Sequence, residues 1–273
     1  VIDTHCHLTF PDFAGRVDGV MASAAAAGVT GAITISTQSQ DAQAGLMLAE
    51  SHPAIWCAAG VHPLYSDQGP HDWAAIRRVA SHDRCVAFGE LGLDNHHGRP
   101  ARDVQDRVLA HQLAFIESCI ADGIDKPVII HGRKAVDDLL PVLRSSTIPP
   151  DRYVFHCFTE TPDHARMVLD FGAMISFTAV VTYKNAGEVA EAAKLVPGDR
   201  LMVETDAPFL SPEPVRGRRP CEPAYCRYTA QHLAKIRGVP FAEFHDQIDR
   251  NTERFFGIEV PTPEPGALQA VIP

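Results

Sequence analysis

Apolar residues along this chain gather into short unbroken runs, and amphipathic or alanine-rich stretches separate them. The runs are Ile2–His5, Ala32–Ile35, Ile55–Gly60, Cys85–Gly89, Val128–His131, Tyr153–Phe158, Ala173–Phe177 and Leu201–Glu204. A strand buried on both faces reads as continuous apolar sequence, as in a parallel sheet covered by helices. The stretches between them predict helices at Asp18–Ala27, Asp41–Ser51, Ala74–Ser81, Val104–Asp122, Val136–Leu143, Pro162–Phe171 and Ala186–Leu195. Eight such alternations predict an α/β fold, a (β/α)8 TIM barrel, with a doubly wound open sheet as the competing arrangement. Beyond Leu201–Glu204 the pattern changes. Ala207–Pro223, rich in Pro and Arg, reads as a long loop, followed by helices at about Tyr225–Arg237 and Phe241–Phe256. Residues 1–258 read as a single barrel domain and 259–273 as a Pro-containing tail.

Polar, metal-capable residues fall at the ends of these strands. The first strand closes on His5-Cys6-His7, where the period of two puts both imidazoles on one face and Cys6 on the other. The third runs into Gly60-Val61-His62-Pro63, the fourth into Gly89-Glu90-Leu91-Gly92-Leu93-Asp94 and the fifth into His131-Gly132-Arg133. The sixth carries His156-Cys157-Phe158, and the eighth ends in Glu204-Thr205-Asp206. A barrel collects the C-terminal ends of its strands on one face, where its active sites lie. His5, His7, Glu90, His131, His156 and Asp206 therefore converge. One histidine alone is more often a satisfied core residue. Burying six such groups is costly unless each finds a partner, and a metal supplies one. Six donors exceed what one tetrahedral ion takes, so a dinuclear site with a shared carboxylate is expected. Mixed imidazole and carboxylate ligation suits Zn, Mn, Fe, Co or Ni better than Mg, which prefers oxygen. The cofactors expected are two divalent ions: Zn, Mn or Mg.

Charge and cysteine usage narrow the reading. A formal net charge of -10 argues against sequence-independent coating of nucleic acid, which needs a basic face. It leaves room for an enzyme that engages phosphates through metals and a few arginines. The seven cysteines are scattered, without a CxxC pair, and read as free thiols of a reducing compartment. Neither a signal peptide nor an apolar stretch of bilayer length is apparent. A cytoplasmic protein is expected, with no membrane association and no obligate protein partner.

Taken together, the strings Asp3-Thr4-His5-Cys6-His7-Leu8, Gly60-Val61-His62-Pro63, Gly89–Asp94, Pro127–His131 with Arg133, His156-Cys157-Phe158 and Glu204-Thr205-Asp206-Ala207-Pro208 resemble the TatD family of metal-dependent deoxyribonucleases. That family sits within the amidohydrolase-like metallohydrolases. The resemblance runs from Asp3 to about Phe256. It implies a distorted TIM barrel in which His5, His7 and Asp206 hold one divalent ion, His131 and His156 hold a second, and Glu90 bridges them. The chain departs from the family pattern at Asn95-His96-His97, Gly132, Thr159-Glu160 and Cys221, all expected around the substrate pocket and none a predicted ligand.

The expected reaction is hydrolysis of a DNA phosphodiester by a metal-activated water, probing single-stranded or otherwise accessible ends in exonuclease fashion. Asp206 and Glu90 are the expected catalytic carboxylates, Asp206 orienting the water or carrying its proton. Arg133 and His62 are expected on the phosphate. Glu204 is expected either on the substrate or behind a metal ligand. Arg216, Arg218 and Arg219 form the most basic local patch and are candidates for guiding a strand inward. Two alternatives compete: the same centre cleaving another ester, lactone or amide, such as an aminoacyl ester, and a non-catalytic barrel.

Overall fold

The computed structural model describes residues 1–262. Eight parallel strands, β1 (Ile2–Cys6), β2 (Gly31–Ile35), β3 (Ile55–Ala59), β4 (Cys85–Asp94), β5 (Val128–Arg133), β6 (Tyr153–His156), β7 (Met174–Phe177) and β8 (Leu201–Val203), pair in sequence order. The helices are α1 (Val17–Ala26), α2 (Ser39–Ser51), α3 (Trp73–Ala80), α4 (Arg102–Ala121), α5 (Val136–Ser145), α6 (Pro162–Phe171), α7 (Gly187–Leu195), α8 (Cys226–Arg237) and α9 (Phe241–Phe256). This is the (β/α)8 barrel and not the open sheet. The unbroken apolar runs arise because each strand packs on helices outside and on the barrel interior within.

The interior is filled at its lower end by Ile2, Ile33, Val86, Ile129, Val154, Met174 and Met202, and Phe255 and Phe256 of α9 join the same cluster. The last helix thus stoppers the barrel opposite the strand C-termini. The seam between β8 and β1 is closed by a different set of bonds. Thr205 donates to Asp3 from its backbone N (2.9 Å) and from its hydroxyl (2.5 Å). The amide of His7 donates to the Ala207 carbonyl at 2.7 Å, and that of Asp206 to the His5 carbonyl at 2.9 Å.

Two strands differ from the sequence expectation in a way that matters. β4 continues five residues past Gly89, carrying Glu90 and Asp94 into the sheet. Gly89 (φ 138°) and Gly92 (φ 149°) permit this: a Cβ on Gly92 would meet the His131 carbonyl oxygen at 1.9 Å, so β4 reaches β5 there only with glycine. β6 ends at His156, because Cys157 turns into the left-handed region at φ 47°. The C-terminal expectation falls largely on residues 263–273, outside the described residues. No helix among the described residues is long and apolar enough to cross a membrane.

Candidate metal centre

Histidines from the ends of four other strands converge on the carboxylate of Glu90, which is 1% exposed. Its two oxygens face different partners. Oε1 lies 3.5 Å from Nε2 of His5 and 3.5 Å from Nε2 of His7. Oε2 lies 2.8 Å from Nε2 of His156, 3.3 Å from Nδ1 of His131 and 3.6 Å from Nε2 of His62. Asp206 completes the first set, with Oδ1 3.4 Å from His7 and 3.7 Å from His5. Donor atoms of His5, His7 and Asp206 fall within 4.8 Å of one another, as do those of His62, Glu90 and His131, and those of His5, His156 and Glu204.

His5 in β1 and His7 just beyond it both face inward, as strand alternation requires, and the register of β1 on β2 shifts between Asp3 and Cys6. Cys6 turns the other way: it is fully buried among Leu8, Phe13 and Val20, and its Sγ donates to the Ile33 carbonyl at 3.5 Å. Asp206 reaches the centre from a left-handed backbone (φ 61°), a conformation that Asp adopts more readily than most residues.

In His7, His131 and His62 the far nitrogen is held by a hydrogen bond, which selects the nitrogen that faces Glu90. Nδ1 of His7 donates to the Ile35 carbonyl at 3.0 Å. Nε2 of His131 donates to Asp94 Oδ2 at 3.2 Å, and Nδ1 of His156 lies 3.4 Å from Glu204 Oε1. His62 accepts from the Leu64 amide through Nδ1 at 3.0 Å, leaving Nε2 for the centre. His5 has no hydrogen-bond partner on either nitrogen, and it stacks flat on His156 with ring centroids 3.8 Å apart.

The electrostatics follow from this packing. Burial and the neighbouring His156 hold His5 below the usual imidazole range, and burial takes His62 down to about 3. Burial also opposes protonation of His156, but the charge of Glu90 and the bond to Glu204 carry it well above its ordinary value. At His7 the bond to Asp206 and the charge of Glu90 outweigh burial and raise it to about 8. Glu90 is driven well below the carboxylate range, since His62, His156 and His5 outweigh its burial. Cys157, which lines the cleft, is kept a thiol by burial and by the charges of Asp206 and Glu204.

The structure places the remaining expected residues as follows. Arg133 and Arg219 are exposed on a cleft of about 390 Å³ above the centre, and neither has an ion-pair partner among the described residues. Arg216 does not line that cleft: its guanidinium lies 3.8 Å over the Tyr183 ring. His62 packs against His131 (3.2 Å) and so sits within the cluster and not only beside it. Glu204 is 1% exposed and does not line the cleft. It accepts from the Cys157 amide at 2.6 Å and from Ser176 Oγ at 2.7 Å, which places it behind His156 and away from the cleft. Asp94 was not singled out from sequence. The signal was present, since Asp94 follows Glu90 by four residues on one strand. Of the departures, His97 lines the cleft and bonds Asp94 through Nδ1 at 2.9 Å. A Cβ on Gly132 would come within 3.0 Å of Leu139, so a larger residue there requires that side chain to shift.

Comparison with known proteins agrees with this geometry. The family model described as TatD related DNase matches residues 2–257. The chain is 36% identical to the uncharacterized metal-dependent hydrolase YcfH of Escherichia coli strain K12, over 95% of this chain and 96% of that one. It is 33% identical to the 3'-5' ssDNA/RNA exonuclease TatD of Pantoea ananatis, over 94% of this chain and all of the other. The crystal structure of YJJV, a TatD homolog from E. coli K12, superposes with a TM-score of 0.86 at 29% identity, covering 94% of this chain and 98% of that one. A barrel with histidines and carboxylates gathered at its strand ends, matched by such relatives along nearly its whole length, belongs to the TatD family of metal-dependent hydrolases acting on ester bonds.

Proposed function

We propose that this hydrolase is a deoxyribonuclease that trims single-stranded or frayed DNA from an end. The observation that carries this reading is the pair of unpartnered guanidiniums, Arg133 and Arg219, on the cleft above the metal-capable cluster of an otherwise acidic chain. Arginine forks suit phosphate oxygens, and a carbonyl substrate such as a lactone has no use for two of them. The name of the Pantoea relative supports action from an end.

The donor set fits divalent cations. Both nitrogens of His5 and Oε2 of Glu90 are buried without a hydrogen-bond partner. Each such group costs roughly 1–3 kcal/mol when left unpaired, and one cation on Nε2 of His5 and another on Oε2 of Glu90 would offset part of that cost. His5, His7 and Asp206 would hold one ion and His131 and His156 a second, with Glu90 between them and His62 beside the second. Ions bound there would lower the pKa of water toward neutrality and offset the charge of the phosphate.

The chain's own groups do the rest. Asp206 is the ligand carboxylate that reaches the cleft, with its side chain 18% exposed, and it orients the attacking water and accepts its proton. Arg133 and Arg219 seat the phosphate so that the water oxygen attacks phosphorus as the bond to the departing nucleoside oxygen breaks. Asp94 holds His131 in a fixed tautomer, and Glu204 lies 3.4 Å behind Nδ1 of His156. The seven free thiols fit a reducing compartment, consistent with a cytoplasmic protein.

The test offers the metal-loaded protein end-labelled single-stranded and duplex oligonucleotides beside a lactone and an aminoacyl ester. Stepwise shortening of the single strand from one end, lost in His131→Ala, is the expected result. Turnover of the lactone or aminoacyl ester with intact oligonucleotides would transfer the centre to the competing reading.

A further inference from the structure

Three large apolar side chains are exposed among the described residues: Met47, Met167 and Phe209. The methionines lie on α2 and α6. Phe209, 44% exposed, is the one of the three that lines the cleft.

Its placement is tightly built. Phe209 follows Asp206 by three residues, and its amide donates to the Asp206 carbonyl at 3.0 Å. Asp206 (φ 61°) and Leu210 (φ 57°) both hold left-handed backbone, so the ring sits in a short turn between two constrained residues. The amide of Cys221 clamps the turn further by donating to the Pro208 carbonyl at 2.9 Å. Phe10 braces the ring edge to face, with centroids 6.1 Å apart at 86°. Phe10 in turn stacks on His7 at 4.8 Å, and His7 lies 6.4 Å from Phe209 itself. An aromatic corner therefore abuts the first half of the metal-capable cluster, in the same cleft as Arg133 and Arg219.

We propose that Phe209, braced by Phe10, is the stacking platform for the nucleobase adjoining the scissile phosphate, and that it thereby selects unpaired ends. This rests on the nuclease reading above. A π-face accepts any base, which suits an enzyme that digests without regard to sequence. The base of a free single strand is available to it, whereas a base in a duplex has first to leave its pair and stack. A rigid turn presents the ring without the entropic cost of ordering it on binding. The flanking guanidiniums favour an occupant that is both anionic and aromatic, as a nucleotide is, over an apolar peptide or lipid chain.

The experiment compares wild type, Phe209→Ala and Phe209→Trp on three phosphodiesters. These are a single-stranded oligonucleotide, the same strand with an abasic terminal nucleotide, and bis(p-nitrophenyl) phosphate, which has no base. The expected result for Phe209→Ala is a KM for the intact strand raised on the order of 10-fold or more, with kcat little changed. The abasic strand and bis(p-nitrophenyl) phosphate should not register the substitution, and Phe209→Trp should restore the KM. In the metal-free Phe209→Trp protein, added oligonucleotide should quench the new indole fluorescence, and an abasic end should quench it less. Equal losses on all three diesters, or an intact strand unaffected by Phe209→Ala, would overturn the stacking role while leaving the nuclease reading in place. A wild type inactive on all three would overturn both.

Discussion

The cluster has two sides, and they are supported in different ways. On the β8–β1 side, His7 leans on a neutral carbonyl, that of Ile35, and His5 leans on nothing. On the β4–β6 side, His131 is backed by Asp94 and His156 lies against Glu204, two carboxylates buried to within 2% of full enclosure. A carboxylate behind an imidazole raises its basicity and fixes its ring, so the second side is the more strongly donating and the more rigid. The first side gains openness in exchange: Asp206 reaches the cleft, and the Phe10–Phe209 corner lies against it. One half is built to grip, the other to work.

The largest expected effect removes what the halves share. Glu90→Ala should lose metal from both sides and lower the rate on the order of 10³-fold or more, read by metal analysis together with turnover. Retention of a full metal complement would show that the halves do not depend on a common carboxylate.

Asp94→Asn and Glu204→Gln bear on the contrast directly. Each should weaken metal affinity on the β4–β6 side by roughly 10- to 100-fold, without altering that of the β8–β1 side. Titration of the metal-free protein with a competing chelator would report the two affinities, and an equal fall on both sides would dissolve the distinction.

Metal removal gives a smaller and more general signal. Stripping both ions should lower the Tm by about 10–20 °C at metal concentrations near a hundred times Kd. Graded chelation should empty the β8–β1 side first, and simultaneous loss would indicate a single cooperative site.

Cys6→Ala should do least. Its side chain points away from both halves, into the packing around Leu8 and Phe13. The expected cost is about 1 kcal/mol of stability with metal stoichiometry unchanged. Loss of metal in this variant would mean that β1 is oriented otherwise than described.

Much of this arrangement was legible in sequence for a simple reason. A barrel strand has apolar residues along its length and ends abruptly at the active face, so a polar residue closing an apolar run reads directly as a site residue. His131 and His156 are of this kind. The signal weakens where the backbone departs from strand regularity. The unbroken apolar run of the fourth strand stops at Gly89, yet the strand continues to Asp94, and the glycines are what let it press against β5 there. Glu204 was ambiguous because alternation alone does not separate a carboxylate in the cleft from one behind a ligand. Only the inward turn at Cys157, whose amide bonds Glu204, settles its position. Phe209 was invisible as an exposed ring, since nothing in an apolar residue's identity announces that it lacks a neighbour.

The seam between Asp3 and Thr205 links residues 202 positions apart in the chain, and the β8–β1 ligands stand on either side of it. During synthesis that half of the centre therefore has no existence until the eighth strand has left the ribosome and found the first. A hydrolase assembled this way gathers its whole cluster only when the last strand closes on the first.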